Sequence, residues 1–542
     1  MMRRLLVVIL GCGFGCGGSS GGSTDAAADG VAPEDGVAPT DSDSAAPDGP
    51  VQCGDLTCHA DATCDTSGAA AQCACRPGFT GDGVAACVAD CAAQCDLQIA
   101  SNQASASLAS LAPGSTVCLV GDARGPLTLT DAAGADAMPI VIRNCGGAVQ
   151  ITSTTTAAAL VVTGHHFRIT GSGTETARYG LQLAAPASSR ALSLGKVHHF
   201  EVDRVEVSAS MFAGFMIKRD PGSTTCQTDD RRFDTFVMQG VSLHDNYIHD
   251  VDGEGIYLGN SFYNGATFSY CAANASCDWS ACDNAGYTVR AQYPHPVRGV
   301  RVYRNRIART GWDAIQVGAA DDDCEIYDNV VEDFGQANQG SQNHALQVGG
   351  GSSCRVYGNR LARGPQGLHL SGVGATWAYN NLLVDISGVG IIPNPAPPCG
   401  LAGQNPCDVK LRPYTPFGGT NYKGGMYVLN NTVVSSVATG RSMRRSGNEH
   451  YPEEQAKNNL FVIDRVDPIE RPEGWTLQAN VAARTPAAAM FVDPAQGDFH
   501  LAAGSPAIDA GLDLTGSGVT VDLDKTPRPQ GSGFDCGAYE RP

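Results

Sequence analysis

The sequence predicts an all-β chain: a right-handed parallel β-helix solenoid preceded by a small disulfide-rich module. Three observations lead there. The first is a repeat built on one asparagine. It reads LHDNYI (243–248), VYRNRI (302–307), IYDNVV (326–331), VYGNRL (356–361), AYNNLL (378–383), VLNNTV (428–433) and AKNNLF (456–461). Asn246, Asn305, Asn329, Asn359, Asn381, Asn431 and Asn459 hold the same repeat position, and Asn359 and Asn381 are 22 residues apart. Periods of roughly 20–50 residues mark solenoids and arrays. The second observation is that each repeat alternates apolar and polar residues, so it reads as strand rather than helix. The third is the crowding of cysteines near the N-terminus.

Each repeat supplies three strands. A flank strand follows the asparagine, and a variable loop follows the flank strand. A groove strand comes next, beginning with a small residue: GFMIKRD (214–220), GIYLGN (255–260), AIQVGA (314–319), ALQVGG (345–350), GLHLSG (367–372) and GIIPNP (390–395). A return strand such as CEIY (324–327) or CRVY (354–357) leads to the next asparagine. Three short strands per turn with no helical period give a parallel β-helix. Its coils place equivalent residues about 4.8 Å apart. An inward asparagine column then forms a hydrogen-bonded ladder at the turn, as in cross-β stacks. These asparagines are read as structural.

The leader is MMRRLLVVILGCGFGCGG. Arg3 and Arg4 form a basic start, and Leu5–Leu10 form an apolar run too short to span a bilayer. Ile-Leu-Gly-Cys at 9–12 resembles a bacterial lipobox. That resemblance implies cleavage before Cys12, lipidation of Cys12, and export to the outer membrane or cell surface. Residues 17–51 are rich in Gly, Ser, Asp, Ala and Pro, and no Lys or Arg occurs between Arg4 and Arg76. Such a segment cannot bury a core and reads as an acidic disordered linker. The whole chain has 542 residues and a formal net charge of −19, which argues against nucleic acid as a partner.

The 21 cysteines indicate an oxidising compartment. Cys53, Cys58, Cys64, Cys73, Cys75 and Cys87 follow C-x4-C-x5-C-x8-C-x-C-x11-C. The run CACRPGFTGDGVAAC (73–87) resembles the second half of an EGF-like domain. The family pairing on these positions is Cys53–Cys64, Cys58–Cys73 and Cys75–Cys87. The approach DGPVQC lacks the acidic residues of the calcium-binding subtype. Cys324 and Cys354 each lie five residues before their asparagine, so they stack on adjacent coils within disulfide reach. Cys399 and Cys407 are expected to close one loop. Cys226, Cys271, Cys277 and Cys282 are expected to staple the insertions 220–238 and 261–298. Cys91, Cys95, Cys118 and Cys145 are expected to tie the small module to the first coil.

The expected order is a signal at 1–16, the linker at 17–51, the EGF-like module at 52–92, the solenoid at 93–470 and a closing segment at 471–542. The stretch 105–129 looks like the short helix and first strands that cap such solenoids. The tail GDFHLAAGSPAIDAG (497–511) with FDCGAYERP (534–542) resembles the closing segment of secreted bacterial β-helix proteins. Residues 95–542 thus resemble the right-handed β-helix (pectate-lyase-like) superfamily. None of the signature runs of pectate lyases, polygalacturonases or alginate epimerases is present, so the resemblance speaks to fold more than to activity.

In that superfamily the substrate groove runs along one sheet, here the groove strands. With Ile256/Leu258, Ile315/Val317, Leu346/Val348 and Leu368/Leu370 pointing inward, the outward column is Met216, Tyr257, Gln316, Gln347, His369 and Ile392. Tyr257, Gln316, Gln347 and His369 offer ring stacking and hydrogen bonding, which suits a sugar chain; an ordinary solvated sheet face has the same pattern. A second column is Ala213, Glu254, Asp313, His344, Gln366 and Val389. Paired carboxylates one coil apart serve as acid and nucleophile or acid and base, or as ligands for Ca²⁺. Asp252, Asp321, Asp322 and Asp323 are candidates to complete such a site. His344 beside Asp313 is a candidate general base.

Many β-helix polysaccharide lyases use a basic residue as the base, often with Ca²⁺. That resemblance makes Lys218 the candidate base and Arg219 the candidate carboxylate clamp. The alternative is that Glu254, Asp313 and Lys218 are surface charges. His165/His166 and His198/His199 recur at matched positions, which points to turn geometry rather than metal. The stretch 441–455 reads as a solvated charged loop. The expectation is a monomeric, lipid-anchored surface protein that binds, and in the enzyme reading cleaves, an extracellular polysaccharide. The competing expectation is a non-catalytic adhesin or spacer.

Overall fold

The computed structural model describes residues 51–542 except 60–61, 67–69, 76–78, 86, 90, 174–176, 189, 220–235, 262–265, 268–290, 293–294, 351, 372–374, 395–424, 436, 438–439, 448–450 and 452. The leader with Cys12, the linker, Cys226, Cys271, Cys277, Cys282, Cys399 and Cys407 lie outside the described residues. The chain divides into two units, Met1–Asp90 and Cys91–Pro542. No helix among the described residues is long and apolar enough to cross a membrane.

The first unit has too few apolar residues for a core, and disulfides hold it instead. Three antiparallel ribbons pair Val51–Cys53 with Leu56–Cys58, Ala62–Asp65 with Gln72–Cys75, and Phe79–Gly81 with Cys87–Ala89. Cys53 bonds Cys64 and Cys58 bonds Cys73, the pairs that the EGF-like resemblance implies. Cys75 is also disulfide-bonded.

The second unit is the parallel β-helix. Its flank sheet of 12 strands runs from Ala123–Arg124 to Val481–Ala483. Two further ladders, groove and return, merge at the first coils into one sheet of 24 strands. All pairings in these ladders are parallel, as between Val297–Tyr303 and Ala320–Tyr327. Alternate residues meet inside: Ile256, Leu258, Ile315, Val317, Leu346 and Val348 are all 0% exposed.

The asparagine ladder sits at the turn from return strand to flank strand. Asn305 Nδ2 donates to Asn329 Oδ1 at 3.0 Å and to the Leu243 carbonyl at 2.9 Å. The Asn305 backbone N–H donates to the same Asn329 oxygen at 3.1 Å. The pattern repeats unbroken from Asn246 through Asn459 and continues to Asn480, one coil beyond the sequence motif. The residue before each asparagine is left-handed: Asp245, Arg304, Asp328, Gly358, Asn380, Asn430 and Asn458 all have φ between 49° and 66°. Asp, Asn and Gly tolerate that region best, which explains the recurrent D-N, G-N and N-N pairs.

Several expectations are corrected here. The stretch 105–129 forms strands Ser105–Ser107, Thr116–Val120, Ala123–Arg124 and Leu127–Ala133, with no helix. Cys95 bonds Cys118 within the second unit, so that bridge fastens the solenoid's own first coil. Arg441–Arg444 is a groove strand paired with Val389–Pro393, and Glu453–Lys457 is a return strand, so 441–455 is not a single loop. Cys324–Cys354 does bridge adjacent coils, with a Cα separation of 4.5 Å.

The C-terminal segment folds back along the flank sheet. Phe491, Phe499, Leu501 and Tyr539 pack on Leu382, Val434 and Leu460. Asn430 Nδ2 donates to the Asp535 carbonyl at 2.8 Å, and Asn380 Nδ2 to that of Val521 at 2.7 Å. An ion pair between Arg528 and Glu540, both fully buried, locks the segment's end.

Candidate functional site

The groove strands carry both predicted columns in register. Met216 pairs with Tyr257, Tyr257 with Gln316, Gln316 with Gln347, Gln347 with His369, and His369 with Ile392. These side chains point away from the helix interior, yet most are not solvated. Tyr257 is 4% exposed, Gln316 2%, Gln347 8% and Ile392 5%. The solvated sheet face weighed from the sequence is therefore absent. Gln316 Nε2 donates to Ser261 Oγ at 2.5 Å. Phe212 packs edge-on against Tyr257 and Trp312, at 6.1 and 5.1 Å between ring centres.

The second column stands where flank strand turns into groove strand. Ala213 pairs with Glu254, the Gly255 N–H reaches the Asp313 carbonyl, and His344 pairs with Gln366. Glu254 shares the parity of Ile256 and Leu258, so it points inward. Both Glu254 and Asp313 are 0% exposed, so neither is the surface charge that the alternative reading supposed. Neither Glu254 oxygen, nor Asp313 Oδ2, has a hydrogen-bond partner among the described residues. Burial pushes the Glu254 carboxyl up to about 8, with the Asp313 charge adding to it and Lys218 opposing. Burial likewise raises Asp313 well above the usual carboxylate range. Glu254 is thereby held largely protonated at neutral pH.

A chain of polar contacts leads away from Asp313. Asp313 Oδ1 accepts from the His344 backbone N–H at 2.7 Å and lies 3.0 Å from His344 Nδ1. The His344 imidazole is lowered to about 4 by burial, opposed by its hydrogen bond to Gln347. Gln347 Oε1 lies 3.2 Å from His369 Nδ1, and His369 Nε2 lies 3.2 Å from Ser371 Oγ. Asn394 Nδ2 donates to that hydroxyl at 2.9 Å. Burial, then the neighbouring His344, lowers His369 well below the ordinary range. The His344 and His369 rings stack at 4.5 Å. One all-neutral set satisfies every contact: His344 Nδ1–H donates to Asp313, His369 Nδ1–H to Gln347, and the Ser371 hydroxyl to His369 Nε2.

Lys218 lies with its Nζ 4.1 Å from the centre of the Tyr257 ring, a cation–π contact at the end of the preceding groove strand. The Arg219 backbone N–H donates to His295 Nε2 at 3.3 Å. Lys218, Tyr257, Glu254 and Asp313 are thus neighbours. Gln347, His344 and His369 form a second group on the next coils.

The donor set does not fit Ca²⁺. That ion takes six to eight oxygens, many of them from ionised carboxylates. Glu254 and Asp313 offer at most four oxygens between them, and no third carboxylate clusters with them among the described residues. Asp321 is engaged by Arg298 in a two-point contact at 2.8 Å, and Asp323 by Arg301 at 2.7 Å. Those aspartates brace the return sheet instead.

Ser371 and Asn394 escaped the sequence reading. Their signal was present: each lies two residues beyond an outward-column member, in LHLSG and IIPNP. Phe212 and Trp312 lie in variable loops that carry no repeat signal.

Comparisons with known proteins add little beyond fold. No family model matches the chain. No curated protein matches it either. An alginate lyase from Paenibacillus sp. str. FPU-7 is similar at 13% identity and TM-score 0.33, covering 68% of this chain and 93% of that one. A pectate lyase is similar at 12% identity and TM-score 0.37, covering 80% and 90%. A PL6 family polysaccharide lyase from Pseudopedobacter saltans is similar at 13% identity and TM-score 0.31, covering 76% and 97%. The β-helix itself is established by the strand pairings.

Proposed function

We propose that this chain is an exported β-helix protein, lipid-anchored at Cys12 to the outer membrane or cell surface, that binds an extracellular polysaccharide along its groove sheet and cleaves it by acid–base chemistry. An EGF-like module at 52–92 and a monomeric state belong to the same reading. One observation carries the catalytic part. Two carboxyls with orphaned oxygens are buried in a column that elsewhere holds Ala213 and Val389. The fold therefore does not need an acid there. Burying an unsatisfied carboxyl costs about 1–3 kcal/mol or more, and strongly shifted acids concentrate at functional sites.

In this reading Glu254 is the proton donor at neutral pH. Lys218 is the base or the electrostatic partner of an acidic sugar, held over Tyr257. Arg219 is the carboxylate clamp. Asp313 positions His344, and Gln347 orients the His369 ring stacked on it. Gln316 contacts the sugar chain. Glu254 and Asp313 are closed to solvent, so cleavage requires the corner to open around the substrate.

The test is the full-length chain against uronate-containing and neutral polysaccharides, with and without Ca²⁺. Absorbance of unsaturated ends and release of reducing ends are followed together. Absorbance lost in Glu254→Gln and Lys218→Ala supports a lyase centred here. Reducing ends without absorbance, lost in Glu254→Gln, support a hydrolase. The second reading, a non-catalytic adhesin or spacer, is favoured by the burial of Tyr257, Gln316 and Gln347. Silence in both channels with glycan binding retained selects it. Incorporation of labelled palmitate, lost in Cys12→Ser, tests the anchor.

A further inference from the structure

We propose that His165, His166, His198 and His199, backed by Asp136, form a binding site for a late first-row transition-metal ion of the Cu²⁺, Ni²⁺ or Zn²⁺ class. The four histidines lie on two adjacent return strands, Leu160–Thr170 and Val197–Asp203, far along the chain from Glu254. His165 pairs with His198 in register. The rings of His165 and His198 stack at 5.0 Å with 4° between planes, and those of His166 and His199 at 4.4 Å with 6°.

Within each coil the two imidazoles meet nitrogen to nitrogen. His165 Nδ1 lies 2.8 Å from His166 Nδ1, and His198 Nδ1 lies 2.8 Å from His199 Nδ1. Each contact needs one N–H and one lone pair, so each pair holds a single proton between two inward-facing nitrogens. The ligand atoms of His166, His198 and His199 all lie within 4.8 Å of one another. Atoms so spaced surround a centre within about 2.8 Å of each; turning the rings out of their parallel stacks aims the in-plane lone pairs at it, and a shift of under about 1 Å then reaches the roughly 2.0–2.1 Å of imidazole–metal bonds. Neutral imidazole selects Zn²⁺, Cu²⁺ and Ni²⁺ over Ca²⁺ or Mg²⁺.

The surroundings are those of a prepared ligand. His166 Nε2 lies 2.8 Å from Asp136 Oδ1. A carboxylate on the far ring nitrogen fixes the tautomer that leaves Nδ1 free to bind, an arrangement common behind metal-binding histidines. Binding then moves the shared proton from Nδ1 to Nε2, and none is released.

The turn itself does not fix the residue type. His166 and His199 both sit at φ 51°, in the left-handed region, and the same place on the next three coils carries Gly240, Gly299 and Asp323, at φ 64°, 61° and 51°. Histidine is enriched among the residues that adopt this conformation, so the turn tolerates these histidines without requiring them.

The test is calorimetric titration of the full-length chain, purified without a polyhistidine tag and stripped with chelator, with Ni²⁺, Cu²⁺ and Zn²⁺ separately. One ion per chain is expected for at least one of the three. His199→Gly installs the residue found at 240, so the metal-free variant should unfold at the wild-type temperature while binding is abolished. Asp136→Asn, at a side chain 87% exposed, should fold normally and weaken binding roughly 10–100-fold. Absence of one-to-one binding for all three ions overturns the proposal. So does equal binding by wild type and His199→Gly, which would leave the four rings as a stacked turn.

Discussion

Replacing Glu254 by Gln should make the solenoid more stable at pH 8 than the wild type, and should do little at pH 4.5. The acid is 0% exposed and is raised from 4.5 to about 8, by burial first and Asp313 second. A raised acid keeps its proton in the folded state after the unfolded chain has lost it. Between pH 4.5 and 8 the unfolded state therefore binds fewer protons, and stability falls as pH rises. Each pKa unit is worth about 1.4 kcal/mol, so this shift amounts to about 5 kcal/mol as an upper bound. Water entering the corner would relieve part of it, leaving an expected gap of about 2–5 kcal/mol at pH 8. Gln is close to isosteric and does not ionise, so the variant escapes the loss. The assay is urea unfolding followed by circular dichroism at pH 4.5, 6, 7 and 8 for both proteins. A stability gap that stays flat across these values refutes the reasoning. Glu254 would then be hydrated or paired, and its role as a neutral acid would fall with it.

Asn305→Ala removes the acceptor for the Asn246 amides and the donor to Leu243 and Asn329. It should cost about 3–5 kcal/mol in urea unfolding, several times a surface substitution, because buried backbone groups lose their partners. Cys324→Ser with Cys354→Ser opens a bridge across 30 residues and should cost about 3–4 kcal/mol, measured against wild type under oxidising conditions. Arg528→Met strands the fully buried Glu540 and should cost about 3–5 kcal/mol. Adding Glu540→Leu should recover only part of that, since the Gln530 and Asp535 backbone N–H groups then lose their acceptor, and proteolysis of the C-terminal segment reads out both. If Arg528→Met alone is neutral, the buried pair does not anchor the tail.

The solenoid was legible because its physics is local and repeated. Most coils turn at an asparagine preceded by a left-handed residue, so D-N, G-N and N-N pairs mark most turns, with Arg304 and Ala479 in that place at two others. Asn480 was missed because in LQANVA an alanine stands where the earlier motifs carry Asp, Gly, Asn or Arg before the asparagine. The groove register was also legible, since alternation with period two admits one inward set. The back-folded tail was not. Its contacts join residues more than a hundred apart, such as Asn430 with Asp535, and no repeat announces them. The strand at Arg441–Arg444 was hidden by its charges. Ser442 and Met443 are buried, while Arg441 pairs with Glu470 and Arg445 with Glu473.

The sequence by itself determined the β-helix, the asparagine ladder, the coil-to-coil disulfide and the membership of both groove columns, because each follows from a period that a linear chain displays. Only the tertiary structure decided the chemistry of those columns. Whether a carboxylate at Glu254 or Asp313 is charged depends on how much water and how many partners surround it. Those are set by neighbouring coils and loops, not by the residue's place in its own repeat. The same holds for the histidine pairs: their spacing was visible in the chain, but the stacking that gathers ring nitrogens of His166, His198 and His199 exists only once two coils lie about 4.8 Å apart.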